Sequence, residues 1–266
     1  MRGRVLIIAG SDSGGGAGIQ ADIKTVTAMN GFAMTAITAL TAQNTLGVHG
    51  IHEVPTEFVT EQIRVVMEDI GADCLKTGML HRIGVIEAVM DAIEAYAPTV
   101  PLVVDPVMIA KGGASLLEDD AVAAMRARVL PMATLITPNA PEAATLTGEP
   151  VETTEQAVNA ARKLLELGPR AVLVKGGHIG SDDRVFDVFV SADSDERIFE
   201  GPRIETASTH GTGCTTASAI ATGLAQGMPP VDALDAARRY VLEAIRTAPG
   251  YGRGHGPLNH AHPLDR

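Results

Sequence analysis

The sequence predicts an α/β fold, a mostly parallel central sheet with helices on both faces. Three observations carry that prediction. Short apolar segments alternate with longer ones whose apolar residues recur at helical spacing. The repeated strand–helix unit implies parallel strands covered on both sides. Finally, Gly10, Asp105, Asn139 and Lys175 each fall at the end of a predicted strand, where sheets of this kind hold their ligands.

In chain order, VLIIA (5–9) reads as a first buried strand. Basic residues precede it, but it is too short for the apolar region of a secretion signal, and SDSGGG follows at once. AGIQADIKTVTAMN reads as a helix, and MTAITALTAQ as a strand running into a loop. TEFVTEQIRVVMEDI places Val59, Ile63, Val66, Met67 and Ile70 on one helical face. DCLKTG is a short strand, IGVIEAVMDAIEAY a helix, and PLVVDP a strand ending in Asp105. EDDAVAAMRARVLP (118–131) reads as one helix, and ATLITPN as a strand ending near Asn139. TEQAVNAARKLLELG has helical spacing, and AVLVKGG is a strand ending at Lys175. RVFDVFVS and ERIFEGPRIET pair as antiparallel strands. Helices at about 213–226 and 231–246 precede an irregular tail, GYGRGHGPLNHAH. No linker or repeat divides the chain, so one domain is expected over 1–266.

Composition excludes several function classes. The net charge of −11 argues against a nucleic-acid partner. Aromatics at 3 %, with no Trp, leave no stacking platform for single strands. An anionic substrate would have to be met locally, by amides, a lysine or a metal. No apolar run approaches the length of a membrane span. Two cysteines without a C-x-x-C pattern suit a reducing cytosol.

Six motifs carry possible chemistry. GSDSGGGAGIQAD has five glycines between Gly10 and Gly18, which permits close backbone approach to a ligand. It is neither a Walker A loop nor G-x-G-x-x-G, and an ordinary strand–helix turn has the same composition. Its Asp12 and Asp22 either hold a hydroxyl or cap and solvate. Gln43, in TAQNTLGV, either reads a heterocycle edge with its amide or sits in a turn. Asp105, in VVDPVM, is a magnesium or water ligand or a structural carboxylate. In TPNAPEA, Asn139 and Glu142 face a metal–phosphate centre or, as spacing alone favours, cap a helix. Lys175, in VLVKGGH, suits a nucleotide phosphate or lies on the surface. In THGTGC, Thr212, Gly213 and Cys214 open a helix, whose amides and dipole favour negative charge and lower a thiol pKa. The alternative there is a buried, inert cysteine. His210 with Cys214, and His255 with His260 and His262, lack zinc-ligand spacing.

Taken together and in order, IAGSDSGGGAGIQADIKT, TAQNT-GV, KTGML, VVDPVM, TPN-PEA, VLVKGGH, THGTGC and GHGPLNH resemble the hydroxymethylpyrimidine/phosphomethylpyrimidine kinases of thiamine biosynthesis, within the ribokinase-like superfamily. The resemblance spans nearly the whole chain. It implies a ribokinase-like three-layer sandwich that uses ATP and Mg2+. The implied substrate is 4-amino-5-hydroxymethyl-2-methylpyrimidine, phosphorylated first to the monophosphate and then to the diphosphate. It places Gln43 on the pyrimidine ring, Gly10 and Ala17 on the substrate loop, and Met79 on an apolar wall, with Asp12, Asp22 and Val107 completing that side. Asp105 and Glu142 match the metal region, and Asn139, Lys175 and Thr212 the nucleotide phosphates. Gly211, Thr212 and Gly213 form an anion hole, and Cys214 stands where superfamily relatives carry an aspartate base. Residues 107–118, with Lys111, are the only lid candidate. The resemblance further implies a cytoplasmic homodimer with no membrane partner. A pyridoxal or pyridoxine kinase shares the expected fold, and a catalytically silent pyrimidine sensor would share the pocket.

Overall fold

The computed structural model describes residues 2–108, 119–179, 183–193 and 196–264. Its sheet has nine strands in the order β3-β2-β1-β4-β5-β6-β7-β8-β9. The interior is parallel, from β2 (Phe32–Asn44) through β1 (Arg4–Asp12), β4 (Cys74–Thr77), β5 (Leu102–Val104) and β6 (Leu135–Ile136) to β7 (Ala171–Val174). Antiparallel strands finish both edges: β3 (Gly47–Glu53) on β2, and β8 (Arg184–Ser191) with β9 (Glu196–Pro202) beyond β7.

Strand pleating explains the three layers. Successive side chains of β1 point to opposite faces. Leu6 and Ile8 enter one core, against α2 (Thr56–Asp69), α3 (Ile83–Tyr96), α4 (Asp119–Ala124), α5 (Ala140–Thr147) and α6 (Thr154–Leu165). Val5, Ile7 and Ala9 enter the other, against α1 (Gly18–Ala28), α7 (Thr212–Ala225) and α8 (Pro230–Arg246). Strands covered on both sides can therefore be apolar throughout, as VLIIA is.

Two elements differ from the sequence reading. The helix expected over 118–131 is regular only to Ala124, then widens over Met125–Val129 and tightens over Leu130–Met132. Pro131 donates no N–H, and its ring crowds the carbonyl four residues back. Strand β3 was not expected, because as an edge strand it lies mostly exposed and lacks an apolar pattern. TPNAPEA opens a separate helix, α5, with a complete capping box: Asn139 Oδ1 accepts from Glu142 N, and Glu142 Oε2 accepts from Asn139 N.

Candidate active site

The parallel strands end on one side of the sheet, and α7 starts there. Two cavities meet at this place. The smaller, about 140 Å³, is lined by Gly10, Asp12, Ala17, Gln43, Met79, Asp105, Val107, Glu142 and Cys214 among others. The larger, about 450 Å³, has the apolar walls Leu173, Val185, Ile204 and Ile245 and the cations Arg238 and Arg239. Both cavities are lined by Asn139, Lys175, Thr212 and Gly213. A group passing from one cavity to the other would cross that shared wall.

At the wall, Lys175 Nζ lies 2.9 Å from Asp105 Oδ1, and Asp105 is almost fully buried. Burial alone would lower the lysine pKa, but Asp105 and Glu142 together raise it above the ordinary value. Lys175 is thus a fixed cation. Burial, only partly countered by Lys175, pushes the Glu142 carboxyl up to about 7. The sequence offered two roles for Glu142, and the structure gives it both positions: it caps α5 and it lines the cavity. A Cβ on Gly213 would sit 3.1 Å from Lys175 Nζ and 3.4 Å from Asp105 Oδ2, so this glycine lets α7 start against the ion pair.

Helix α7 begins differently from α5. Its N-cap is Gly211, at φ +83° and with no capping side chain. Orphan N–H groups in that first turn are therefore available to an anion at the cavity. Only glycine fits at 211, because a Cβ there would lie 1.9 Å from the carbonyl oxygen of Gly16.

The glycine-rich loop does something other than cradle a phosphate. Its amides are occupied from within: Gly14, Gly16 and Ala17 N–H all donate to the Asp12 carboxylate, at 2.8–3.1 Å. His210 Nε2 completes the set, 2.9 Å from Asp12 Oδ2. Burial opposes ionisation of Asp12, yet these donors hold its carboxyl below the ordinary range. The small residues serve close packing, since a Cβ on Gly16 would lie 2.5 Å from the His210 ring and one on Gly10 would lie 2.5 Å from Met79 Cε.

Two expectations are corrected. Asp22 does not line the cavity. It is fully buried, accepts from Lys76 Nζ at 2.9 and 3.0 Å and from Ser218 Oγ at 2.7 Å, and so holds the core rather than a substrate. Cys214 lines the cavity but is not a low-pKa thiol. Burial pushes it up to about 12, and Lys76 offsets only part of that against Asp22 and Asp105. Desolvation outweighs the helix terminus here.

Sequence reasoning missed two residues that matter. Lys76 stood inside KTGML without a role, yet it lines the cavity as a buried cation whose charge Asp22 maintains. His210, which the sequence offers only as a metal partner of Cys214, joins Asp12 to Gln43: its Nε2 lies 2.9 Å from Asp12 Oδ2 and 3.3 Å from Gln43 Nε2. The spacing THGTGC held no signal for either pairing. Most of the lid candidate lies outside the described residues. His260 binds Thr215 rather than a metal.

Among the described residues no three His, Cys, Asp or Glu side chains converge on one metal position. Mg2+ does not need such a cage, because it is held by one or two carboxylates and by substrate phosphates, with waters completing its shell. Asp105 and Glu142 are hard oxygen donors, both buried at the cavity. The donor set fits that ion.

The chain is 52 % identical over 259 residues to the thiamine biosynthesis bifunctional protein ThiED of Geobacter sulfurreducens, aligning over 97 % of itself and 52 % of that longer protein. It is 47 % identical to the hydroxymethylpyrimidine/phosphomethylpyrimidine kinase of Bacillus subtilis, over 97 % of this chain and 94 % of the relative. The crystal structure of an ADP complex of Bacillus subtilis pyridoxal kinase superposes with a TM-score of 0.89 at 33 % identity, covering 98 % of each chain. The ribokinase-like architecture is thus shared by pyrimidine and pyridoxal kinases. The family model described as phosphomethylpyrimidine kinase matches residues 12–259, and the chain belongs to that kinase family.

Proposed function

We propose that this kinase phosphorylates 4-amino-5-hydroxymethyl-2-methylpyrimidine with ATP, and then phosphorylates the monophosphate to the diphosphate, as a step of thiamine biosynthesis. The observation that carries the reading is the shared wall of Asn139, Lys175, Thr212 and Gly213 between a ring-sized cavity and a larger one. The ring alcohol takes the small cavity, with Gln43 on its edge, Met79 and Val107 against its faces, and Gly10 and Ala17 close by. Asp12 acts on the substrate through the loop whose amides it gathers. ATP takes the large cavity, its adenine between the apolar walls and its γ-phosphate at the wall. Lys175 and the uncapped amides at the start of α7 neutralise charge on the transferring group, which is most of what phosphoryl transfer needs. Asp105 and Glu142 would hold Mg2+, which when bound supplies further charge neutralisation on the phosphates.

Cys214 faces the alcohol as a thiol and hydrogen-bonds it. As the alcohol oxygen bonds to the γ-phosphorus and the bond to ADP breaks, the proton leaves late and passes to an oxygen of the transferring phosphoryl group, so a base ionised beforehand is not required. In the second step the nucleophile is already a phosphate oxygen, so Cys214 should matter less there. We place the enzyme in the cytoplasm. No helix among the described residues is long and apolar enough to cross a membrane, and both cysteines are free. A homodimer is proposed through the β3 edge, beside which Leu46, Ile51 and Phe58 are exposed.

A second reading is supported by the pyridoxal kinase likeness, namely a side activity on pyridoxal. A silent sensor is disfavoured by the intact Lys175–Asp105 pair and the uncapped α7 start. ADP release measured with each alcohol separates the three. The pyrimidine should be turned over at least ten times more efficiently than pyridoxal, and no ADP from either would leave the sensor. Cys214→Ala, assayed on each step separately, should lose up to about 10-fold on the first, the worth of one hydrogen bond, and less on the second. Equal losses would mean that the thiol only shapes the anion hole.

A further inference from the structure

Gln43 sits in a ring of partners that constrains which way its amide faces. Its Oε1 lies 3.0 Å from Thr41 Oγ1, and its Nε2 lies 3.3 Å from His210 Nε2. Thr41 Oγ1 is also 2.8 Å from the carbonyl oxygen of Ser11, which can only accept. The single hydroxyl proton of Thr41 therefore goes to Ser11, and Thr41 must accept from Gln43. His210 Nε2 is likewise 2.9 Å from Asp12 Oδ2, a carboxylate held ionised by three backbone donors. That nitrogen carries its proton toward Asp12 and cannot accept one from Gln43.

Both conditions are met by the same arrangement. The two amide atoms exchange places, so that Gln43 donates an N–H to Thr41, and its oxygen takes the minor share of a three-centre bond from His210 Nε2–H, whose nearer acceptor is Asp12. Each partner demands this orientation independently. It leaves one N–H and one oxygen lone pair of Gln43 uncommitted at the cavity. An aminopyrimidine offers the complement, a ring nitrogen that accepts beside an exocyclic amine that donates. The order of donor and acceptor along that edge has to match.

We infer that His210, oriented by Asp12, fixes the handedness of the Gln43 amide and is therefore a specificity-determining positioning residue for the aminopyrimidine ring. His210 is itself placed by the fold: it is 7 % exposed, and its backbone N–H donates to Gly256 O at 3.1 Å. His210 also lines the small cavity, but its Nε2 faces Asp12 and Gln43. Thr41 is the second anchor. This inference rests on the proposal that Gln43 reads the ring.

The test is a double-mutant cycle in the full chain, read as pyrimidine KM, ATP KM and kcat on the first step. Gln43→Ala should raise the pyrimidine KM about 10-fold, the usual cost of a lost partner in a buried polar site. His210→Ala should raise it to a similar extent, with ATP KM and kcat changed less than threefold. In the Gln43→Ala background, His210→Ala should add nearly nothing, because the residue it positions is gone. His210→Gln, which can present an N–H at about the same reach, should recover most of the lost affinity. Multiplied losses of about 100-fold in the double variant, or a fall in kcat matching the fall in kcat/KM, would overturn the inference. An unchanged pyrimidine KM in Gln43→Ala would instead remove the proposal beneath it. If His210→Ala does not fold, Thr41→Val cycled against Gln43→Ala carries the same test, with additivity again the overturning result.

Discussion

The chemistry of Cys214 is decided by a competition inside one residue's surroundings. The α7 terminus favours a thiolate, and burial with two nearby carboxylates disfavours it. Burial raises its pKa, and Lys76 counters only part of that, so the group rests as a thiol. The thiol should therefore alkylate slowly near neutrality. Iodoacetamide labelling at Cys214, followed by mass spectrometry, is expected to accelerate with each pH unit up to at least pH 9. A plateau with a midpoint below pH 8 would mean that the terminus prevails after all. Cys74, buried and with its pKa raised further, should stay unlabelled. Lys175 presents the opposite case, a cation whose charge two carboxylates secure. Since the same γ-phosphoryl group moves in both steps, Lys175→Met should depress both turnovers by a similar factor. Separate assays of alcohol and monophosphate check this, and a loss confined to one step would move Lys175 off the phosphate path.

At the scale of elements, the feature least legible in sequence is the C-terminal tail. GYGRGHGPLNHAH reads as an irregular His-rich end, yet it straps the site's supports together. Gly256 N–H donates to Ala207 O and Gly256 O accepts from His210 N–H, while His255 N–H reaches Thr45 O at the β2–β3 turn. His260 Nε2 lies 3.0 Å from Thr215 Oγ1 in the first turn of α7, and the Tyr240 hydroxyl of α8 donates to His260 O. These contacts join segments far apart in sequence, so no local period announces them. Burial first, then Lys24 and His262, lowers the His260 pKa from 6.5 to about 4. The unfolded chain thus binds a proton between pH 6.5 and 4 that the folded chain refuses. Stability should be complete above pH 6.5 and fall as the pH drops toward 4, by about 3 kcal/mol from this residue. Urea midpoints measured across that range should fall for the wild type and flatten for His260→Gln. Equal slopes would show that the strap does not titrate.

For the whole molecule, legibility followed burial pattern. The parallel interior could be read because its strands are largely apolar on both faces and each ends in a polar or glycine residue at the same side of the sheet. The edge strand β3 could not, since an exposed strand needs no apolar pattern. Site residues in motif positions were brought together, apart from Asp22. Its error and the omission of Lys76 have one cause. Charged residues 54 positions apart on α1 and β4 give no sign in sequence that they neutralise each other. In the folded chain Asp22, Lys76 and Ser218 are all fully buried, and they join α1, β4 and α7 at the sheet's centre, beneath the cavity. Removing one partner of such a pair leaves a charge with neither water nor counter-ion, and typically costs about 3–5 kcal/mol. Asp22→Asn should lose stability on that scale, by denaturant unfolding at pH 7. Asp22→Leu combined with Lys76→Met replaces both charges with apolar groups and should lie close to the wild type or above it, because the desolvation of two ions is then avoided. A cost below about 1 kcal/mol for Asp22→Asn would mean that the pair is neutral, with the proton on Asp22 and a free amine on Lys76. That result would also remove the positive charge that holds the Cys214 pKa down.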